Sequence, residues 1–354
     1  MAKKRSFWYG ITHQTKLDRE GYLKLVRRVA MFVGGGFAAS LVVFIVIAWI
    51  GGLSQVIGVI AGAKFYIYAL AFVAVLGSLL LRFIKWSYYM KLLKLKVPLG
   101  KSLAVYLSLY SMTITPGQVG RVVAAYTLNR LTKIKFAKII PIVTMDIFTD
   151  FLGFGILALL AALYFHKYVL YILLIDIVLM LPFLFILNDW LYRIIKRALK
   201  KNSFLRNFTP YGEEYFRSQN LLNTPKVYFV SILVTLPAAL LNSLTLYFAL
   251  LSLGIISPIS GTIFIYSSST VFGMVSAVPG SIGVTDGSIV ALLSGILHLS
   301  PDISSAVTIM SRIADLWFGV VLGAIFFFIT LRYWAPAGKL EKRASPGRAH
   351  MSSS

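Results

Sequence analysis

Long apolar runs alternate with short, basic, polar stretches along most of the chain. The runs at 29–50, 65–84, 139–165, 168–188, 227–251 and 304–331 each have about the length a helix needs to cross a bilayer, roughly 20 residues. Two further apolar segments, 102–129 and 259–297, are interrupted by one repeated pattern, Pro-Gly-x-x-Gly. It reads Pro116-Gly117-Gln118-Val119-Gly120 in the first and Pro279-Gly280-Ser281-Ile282-Gly283 in the second. Proline disfavours the α conformation at the residue before it, here Thr115 and Val278, and glycine then permits a tight turn. Lipid offers an exposed backbone no hydrogen-bond partner, so a helix broken at membrane depth must lie inside protein or beside a water-filled cavity. Two matched breaks in corresponding parts of a chain point to a transporter-like site built from an internal repeat.

Composition fixes the class. Of 354 residues, 58% are hydrophobic and only 12 are acidic, and mean hydropathy is +0.81. A soluble chain of this length has too little interior for so much apolar surface. We expect an all-α polytopic membrane protein with about six full spans and two Pro-Gly-broken re-entrant hairpins, arranged as an inverted repeat. The net charge of +23 does not point to nucleic acid, because the basic residues lie in short loops between apolar runs. There the positive-inside rule and anionic lipid headgroups account for them. Cysteine is absent, which excludes disulfides, thiolate metal sites and cysteine nucleophiles. The stretch 1–28 is a basic cytoplasmic N-terminal segment without a short apolar core and cleavage site, so the first run reads as a retained span.

Charge counting sets the topology. Lys94, Lys96 and Lys101 precede the first broken segment, and Arg130, Lys133, Lys135 and Lys138 follow it. A re-entrant hairpin keeps both flanks in the cytoplasm. With the second segment also returning to its own side, 31 of the 35 Lys and Arg are cytoplasmic. Lys64 and Lys167 lie outside, and Arg121 and Arg312 fall within apolar segments. A single crossing at 102–129 would invert the later loops and turn many basic residues outward, against the positive-inside rule. The halves of the second segment are nearly long enough to cross, so two full spans there stay open as an alternative. Both termini come out cytoplasmic, in the plasma membrane.

The same order of elements then occurs twice: two spans, a Pro-Gly-x-x-Gly hairpin and a third span. The expected organisation is a first membrane repeat at 29–166 and a second at 167–335 with a cytoplasmic connector at 189–226. A disordered basic tail, 336–354, follows. An odd number of crossings per half makes the repeat inverted. Spacing agrees, since the interval from Pro116 to Asp150 nearly equals that from Pro279 to Asp315.

Ionisable groups at membrane depth cost about 2.5–3.5 kcal/mol each on insertion scales, so each needs a partner or a purpose. Those expected there are Arg121, Asp146, Asp150, Asp176, Asp286, Arg312 and Asp315. Asp146 and Asp150 share a helix face, and Arg312 and Asp315 can pair along theirs. Asp286 falls early in the half-helix after the second break, where the helix dipole favours negative charge. Arg121 directly follows the first break, where a guanidinium and freed N–H groups suit a lipid phosphate. Asp176 has no basic residue within one turn and is a proton-site candidate. The four histidines show no ligand or triad spacing, and no phosphate-binding or nucleophile motif occurs. No cofactor and no catalytic residue is expected.

The string 115–120 with Arg121 to Arg130, the string 278–283 running on to Leu293, and the later Arg312 resemble a known family over roughly 25–335. It is the transmembrane domain of lysylphosphatidylglycerol synthases, flippase-like integral membrane proteins. The resemblance implies a module that moves a lipid between leaflets, separate from the soluble lysyltransferase domain of two-domain relatives. The family usually carries Gly-Glu at the first break, where this chain has Gly120-Arg121. It usually has Glu in the second hairpin, here Asp286, and Arg near the start of the third span, here Ile147. The exchange at Arg121 reverses the local charge and favours an anionic lipid over a cationic aminoacyl lipid.

The expected lipid-site residues are Pro116, Gly117, Gly120, Arg121, Asp150, Pro279, Gly280, Gly283, Asp286, Arg312 and Asp315. Membrane lipids are the expected partners and nucleic acid is not. A homo-oligomer or a partner lipid-modifying enzyme stays open. The competing readings are an ion-coupled transporter of a small solute and a non-transporting membrane subunit.

Overall fold

The structure is a computed structural model that describes residues 19–115, 121, 127–129, 134–163, 174, 178, 209–276 and 278–332. Its described elements are helical: α1 (Arg19–Ile50), α2 (Leu53–Ala61), α3 (Phe65–Leu92), α4 (Leu99–Ser108), α5 (Phe136–Ala162), α6 (Thr209–Leu222), α7 (Pro225–Ser252), α8 (Ile259–Val275), α9 (Val284–Ile296), α10 (Pro301–Arg312) and α11 (Phe318–Arg332). A 3-10 turn, Leu109–Met112, extends α4, and a π segment, Ile313–Trp317, joins α10 to α11.

Five helices are long and apolar enough to cross a membrane: Val33–Ile50, Phe65–Leu92, Phe136–Ala162, Pro225–Ser252 and Pro301–Thr330. They correspond to five of the six runs expected from sequence. The sixth, 168–188, lies almost wholly outside the described residues, as do Asp176, residues 189–208 of the connector 189–226, and the first Pro-Gly string, 116–120.

One boundary needs correction. Hydropathy ends the second run near residue 84, which leaves Lys85 cytoplasmic and Arg82 uncounted among groups at membrane depth. Helix α3 instead continues to Leu92, and both side chains are buried. They are sustained by acidic partners on α5 that hydropathy does not register.

The two helices α3 and α7 have the same length, 28 residues, and begin at Phe65 and Pro225. Each ends in the same way. In the first, Leu95 donates to the Met90 carbonyl at 2.9 Å and Lys94 to Lys91 at 3.0 Å, with Lys94 at φ 53. In the second, Ile255 donates to Leu250 at 3.1 Å and Gly254 to Leu251 at 3.0 Å, with Gly254 at φ 78. Both are left-handed C-terminal caps of the Schellman type. Pro98 and Pro258 then precede α4 and α8 at the same offset. Helices α3 and α7 pack against each other, α8 packs on α5, and α11 packs on α4.

The second Pro-Gly string turns the chain back. Val278, forced extended by the following proline (φ −69°, ψ 141°), leads into a 3-10 turn with Gly280 at φ 61. Gly283, at φ 85, precedes α9. The two limbs, α8 and α9, pack together as a helix–turn–helix hairpin.

Close approaches hold the bundle. A Cβ placed on Gly323 of α11 would lie 2.3 Å from the backbone nitrogen of Ser111 and 3.0 Å from the carbonyl oxygen of Leu107. Backbone cannot swing aside as a side-chain end can, so Gly323→Ala should destabilise the fold by about 1–3 kcal/mol through overpacking. Gly287→Ala in α9 meets no atom within 4 Å and should be neutral or stabilising, given alanine's helix preference of up to about 1 kcal/mol. Thermal unfolding of both variants in detergent checks the pair. Equal stability for the two variants would contradict the close α4–α11 packing.

Candidate functional site: a charged cavity among buried helices

Lys85 on α3 is the most enclosed cation among the described residues, with no exposed side-chain surface. Its Nζ donates to Asp150 Oδ1 at 2.7 Å, Thr149 Oγ1 at 3.0 Å and Thr235 Oγ1 at 3.1 Å. It also lies 3.1 Å from Asp146 Oδ1. The two aspartates are one turn apart on α5, so both reach one ammonium. One turn back on α3, Arg82 Nη1 lies 3.2 Å from Asp150 Oδ2. Arg121 Nη1 stands 3.5 Å from Asp146 Oδ2, with its guanidinium over the Tyr110 ring.

The second half builds a counterpart. Asp315, in the π segment, accepts hydrogen bonds from the Tyr266 hydroxyl and, at 2.6 Å, from Asn242 Nδ2. Arg312 lies one turn earlier, 3.7 Å from Asp315. Its Nε donates to Asp286 Oδ1 at 2.7 Å and its Nη2 to the Gly280 carbonyl at 3.1 Å. Asp286 Oδ2 in turn accepts from the Gly283 N–H at 2.7 Å. This chain of bonds ties the turn of the α8–α9 hairpin to α10.

Laying Phe65 of α3 on Pro225 of α7 sets the halves in register. Asn242 then falls opposite Arg82, Thr245 opposite Lys85, and Tyr266 opposite Tyr106. At a slightly longer interval, Asp315 and Ser311 answer Asp150 and Asp146. Contacts recur with changed chemistry. Lys85 lies 3.1 Å from Asp146, whereas Thr245 and Ser311 share a hydrogen bond of 3.1 Å. Arg82 pairs with Asp150, whereas Asn242 pairs with Asp315.

Between the two clusters lies a cavity of about 110 Å³, room for several waters at about 10–15 Å³ each. Arg82, Arg121 and Asp150 line one wall, and Asn242, Tyr266, Arg312 and Asp315 the other, with Gly280 at the hairpin turn. The two corresponding carboxylates differ in access: the Asp150 side chain is 0% exposed and that of Asp315 is 18% exposed. π segments within α-helices occur frequently at functional sites.

Of the residues expected at the site, Arg121, Asp150, Gly280, Arg312 and Asp315 line this cavity. Asp286 stands behind Arg312, and Pro279 and Gly283 shape the turn. Pro116, Gly117 and Gly120 lie outside the described residues. Arg82, Lys85, Asn242 and Tyr266 are site residues that sequence reasoning misses. A readable signal existed for the first two: Ser78, Arg82, Lys85 and Tyr89 recur at helical spacing inside an apolar stretch, as do Asp146 and Asp150. Among the described residues no group of three or more His, Cys, Asp or Glu could hold a metal ion.

Membrane-length helices surrounding a charge-lined cavity define an integral membrane protein of flippase-like build. Residues 36–323 match the family described as the lysylphosphatidylglycerol synthase TM region, and the chain belongs to it. That match covers the membrane region, with no catalytic domain detected in this chain. No curated protein matches the chain.

The two chemistries predict unequal costs. Lys85→Met leaves Asp146 and Asp150 buried without their main cation and should cost about 3–5 kcal/mol of stability. Thr245→Val, at the corresponding position, removes only neutral hydrogen bonds, one to the Asn242 carbonyl and one shared with Ser311, and should cost less, about 1–3 kcal/mol. Unfolding by heat or denaturing detergent measures both, and the reverse order would contradict the ion cluster.

Proposed function

We propose that this protein translocates an amphipathic, phosphate-bearing lipid between leaflets, its headgroup passing through the charged cavity while the acyl chains stay in the bilayer. The observation that carries this reading is the cavity itself: buried charges converge on open space inside a bundle whose outer face is apolar. Groups so costly to bury are retained in membranes chiefly where they line a substrate or ion path. Membership of the lysylphosphatidylglycerol synthase TM family supports a lipid as the cargo.

In this reading Arg121, Asp150, Arg312 and Asp315 surround the headgroup, and Asp286 with Pro279, Gly280 and Gly283 holds one edge of its path. Pro116, Gly117 and Gly120, expected at the same site from sequence, lie outside the described residues. The shared offset of helices, caps and prolines between the halves supports an inverted repeat, in which two re-entrant hairpins meet from opposite sides. Rocking one half against the other would then expose the cavity to each leaflet in turn. Both termini lie in the cytoplasm of a cell whose plasma membrane holds the protein, as the basic loops favour.

Proteoliposomes with a fluorescent, headgroup-labelled phospholipid test the function. Protein should accelerate exchange between leaflets, and Arg121→Ala and Asp286→Ala should each slow it about tenfold or more. Unchanged exchange in both variants would remove the cavity from the path. Orientation has its own test, helped by the absence of cysteine. A single cysteine at Lys64 should react with an impermeant maleimide on intact cells, and one at Lys96 only after permeabilisation. The opposite pattern would invert the topology.

A further inference from the structure

The cavity is electrically lopsided. On the first-half wall Arg82, Lys85 and Arg121 face Asp146 and Asp150, an excess of one positive charge. The undescribed residues flanking Arg121, 116–120 and 122–126, contain no Lys, Arg, Asp or Glu that would alter that balance. On the opposite wall Arg312 faces Asp286 and Asp315, an excess of one negative charge. The imbalance arises because the position corresponding to Arg82 is Asn242 and that corresponding to Lys85 is Thr245.

The cations also differ in what they have left to give. Lys85 is saturated by acceptors, and Arg312 is engaged through Nε and Nη2 with Asp286 and the Gly280 carbonyl. Arg82 and Arg121 are only 5% and 4% exposed. Yet among the described residues Nε and Nη2 of Arg82, and Nε and Nη1 of Arg121, donate no hydrogen bond. Unsatisfied buried donors of charged groups are costly, and both side chains line the cavity. The rings of Phe154 under Arg82 and Tyr110 under Arg121 hold the guanidinium planes at 5.5 and 5.3 Å from their centroids, which orients them without using their N–H groups.

We propose that Arg82 and Arg121 form the subsite for the phosphodiester of the translocated lipid, and that Arg312 serves instead to fasten the hairpin turn. A phosphodiester carries one negative charge, matching the excess on that wall. Its pairs of oxygens suit guanidinium forks. The inference rests on the cavity being a headgroup path, but binding tests it separately from transport.

The experiment uses the full chain in a neutral detergent and measures binding by ligand-dependent thermal shift and native mass spectrometry. The probes are dioctanoyl phosphatidylglycerol, dioctanoylglycerol, which lacks phosphate, and glycerol 3-phosphate, which lacks acyl chains. Saturable binding is expected for the phospholipid, with the other two at least tenfold weaker. Arg82→Gln and Arg121→Gln should each weaken phospholipid binding about tenfold or more, with no change for the exposed-site control Lys96→Gln. Arg82→Lys should recover only part of the loss, since it restores charge without the fork. Should Arg82→Gln fail to fold, Arg121→Gln decides, because its contact with Asp146 is the longer one, 3.5 Å.

Equal binding of dioctanoylglycerol, or phospholipid binding unaffected by Arg121→Gln, overturns the subsite. Equal binding of glycerol 3-phosphate overturns the lipid as its source. If the phospholipid binds as expected but no lipid moves in proteoliposomes, translocation fails and the subsite stands. If lipids with and without phosphate move equally, translocation stands and the subsite falls.

Discussion

An ammonium ion with no access to solvent organises the first half of the bundle. Lys85 can remain charged at that depth only while carboxylates and hydroxyls enclose it, and those partners come from α5 and α7. Its burial therefore fixes the register of three long helices at once. Tyr89 one turn on adds to the same constraint, its hydroxyl donating to Ser231 on α7 at 2.7 Å. Helix α3 can run 28 residues through an apolar surrounding with two buried cations because its partners make that length tolerable.

The second half solves the same packing problem with neutral groups. Thr245 and Ser311 stand where the first half has a lysine and an aspartate, and Asn242 replaces an arginine beside the shared carboxylate position. Arg312, its buried arginine, is committed to structure, joining Asp286 and the carbonyl of Gly280 so that the hairpin turn is held against α10. The consequence is a cavity of two unlike walls. One is cationic, with its Asp150 carboxylate fully enclosed, and the other carries a partly accessible carboxylate on a π segment. The contacts at corresponding positions thus keep like geometry while their chemistry differs.

Much of the fold was legible in hydropathy. Five of the expected runs became membrane-length helices, with ends shifted by a few residues except at the end of α3, because lipid forces every backbone group into helical hydrogen bonds. The second Pro-Gly string was also legible as a turn, since proline and glycine act through their own backbone restrictions rather than through neighbours. The end of α3 was not. Arg82 and Lys85 read as the basic flank of a span, because a sequence window cannot credit a cation with acids on a helix far along the chain. The same blindness hid Asn242 and Tyr266, whose importance comes from Asp315.

By itself, then, the sequence determined the class: a helical membrane protein, with a broken segment near Gly280 and acids inside its apolar segments at Asp146, Asp150, Asp176, Asp286 and Asp315. Those properties are local, set by apolar run length, backbone stereochemistry and the cost of charge in lipid. Only the tertiary structure decided which charges neutralise each other and which side chains at the cavity keep unused donors. That distinction separates Arg312, bonded to Asp286, from Arg82 and Arg121. It depends on distances of a few ångströms between helices far apart in sequence, where Coulomb and hydrogen-bond energies change most steeply.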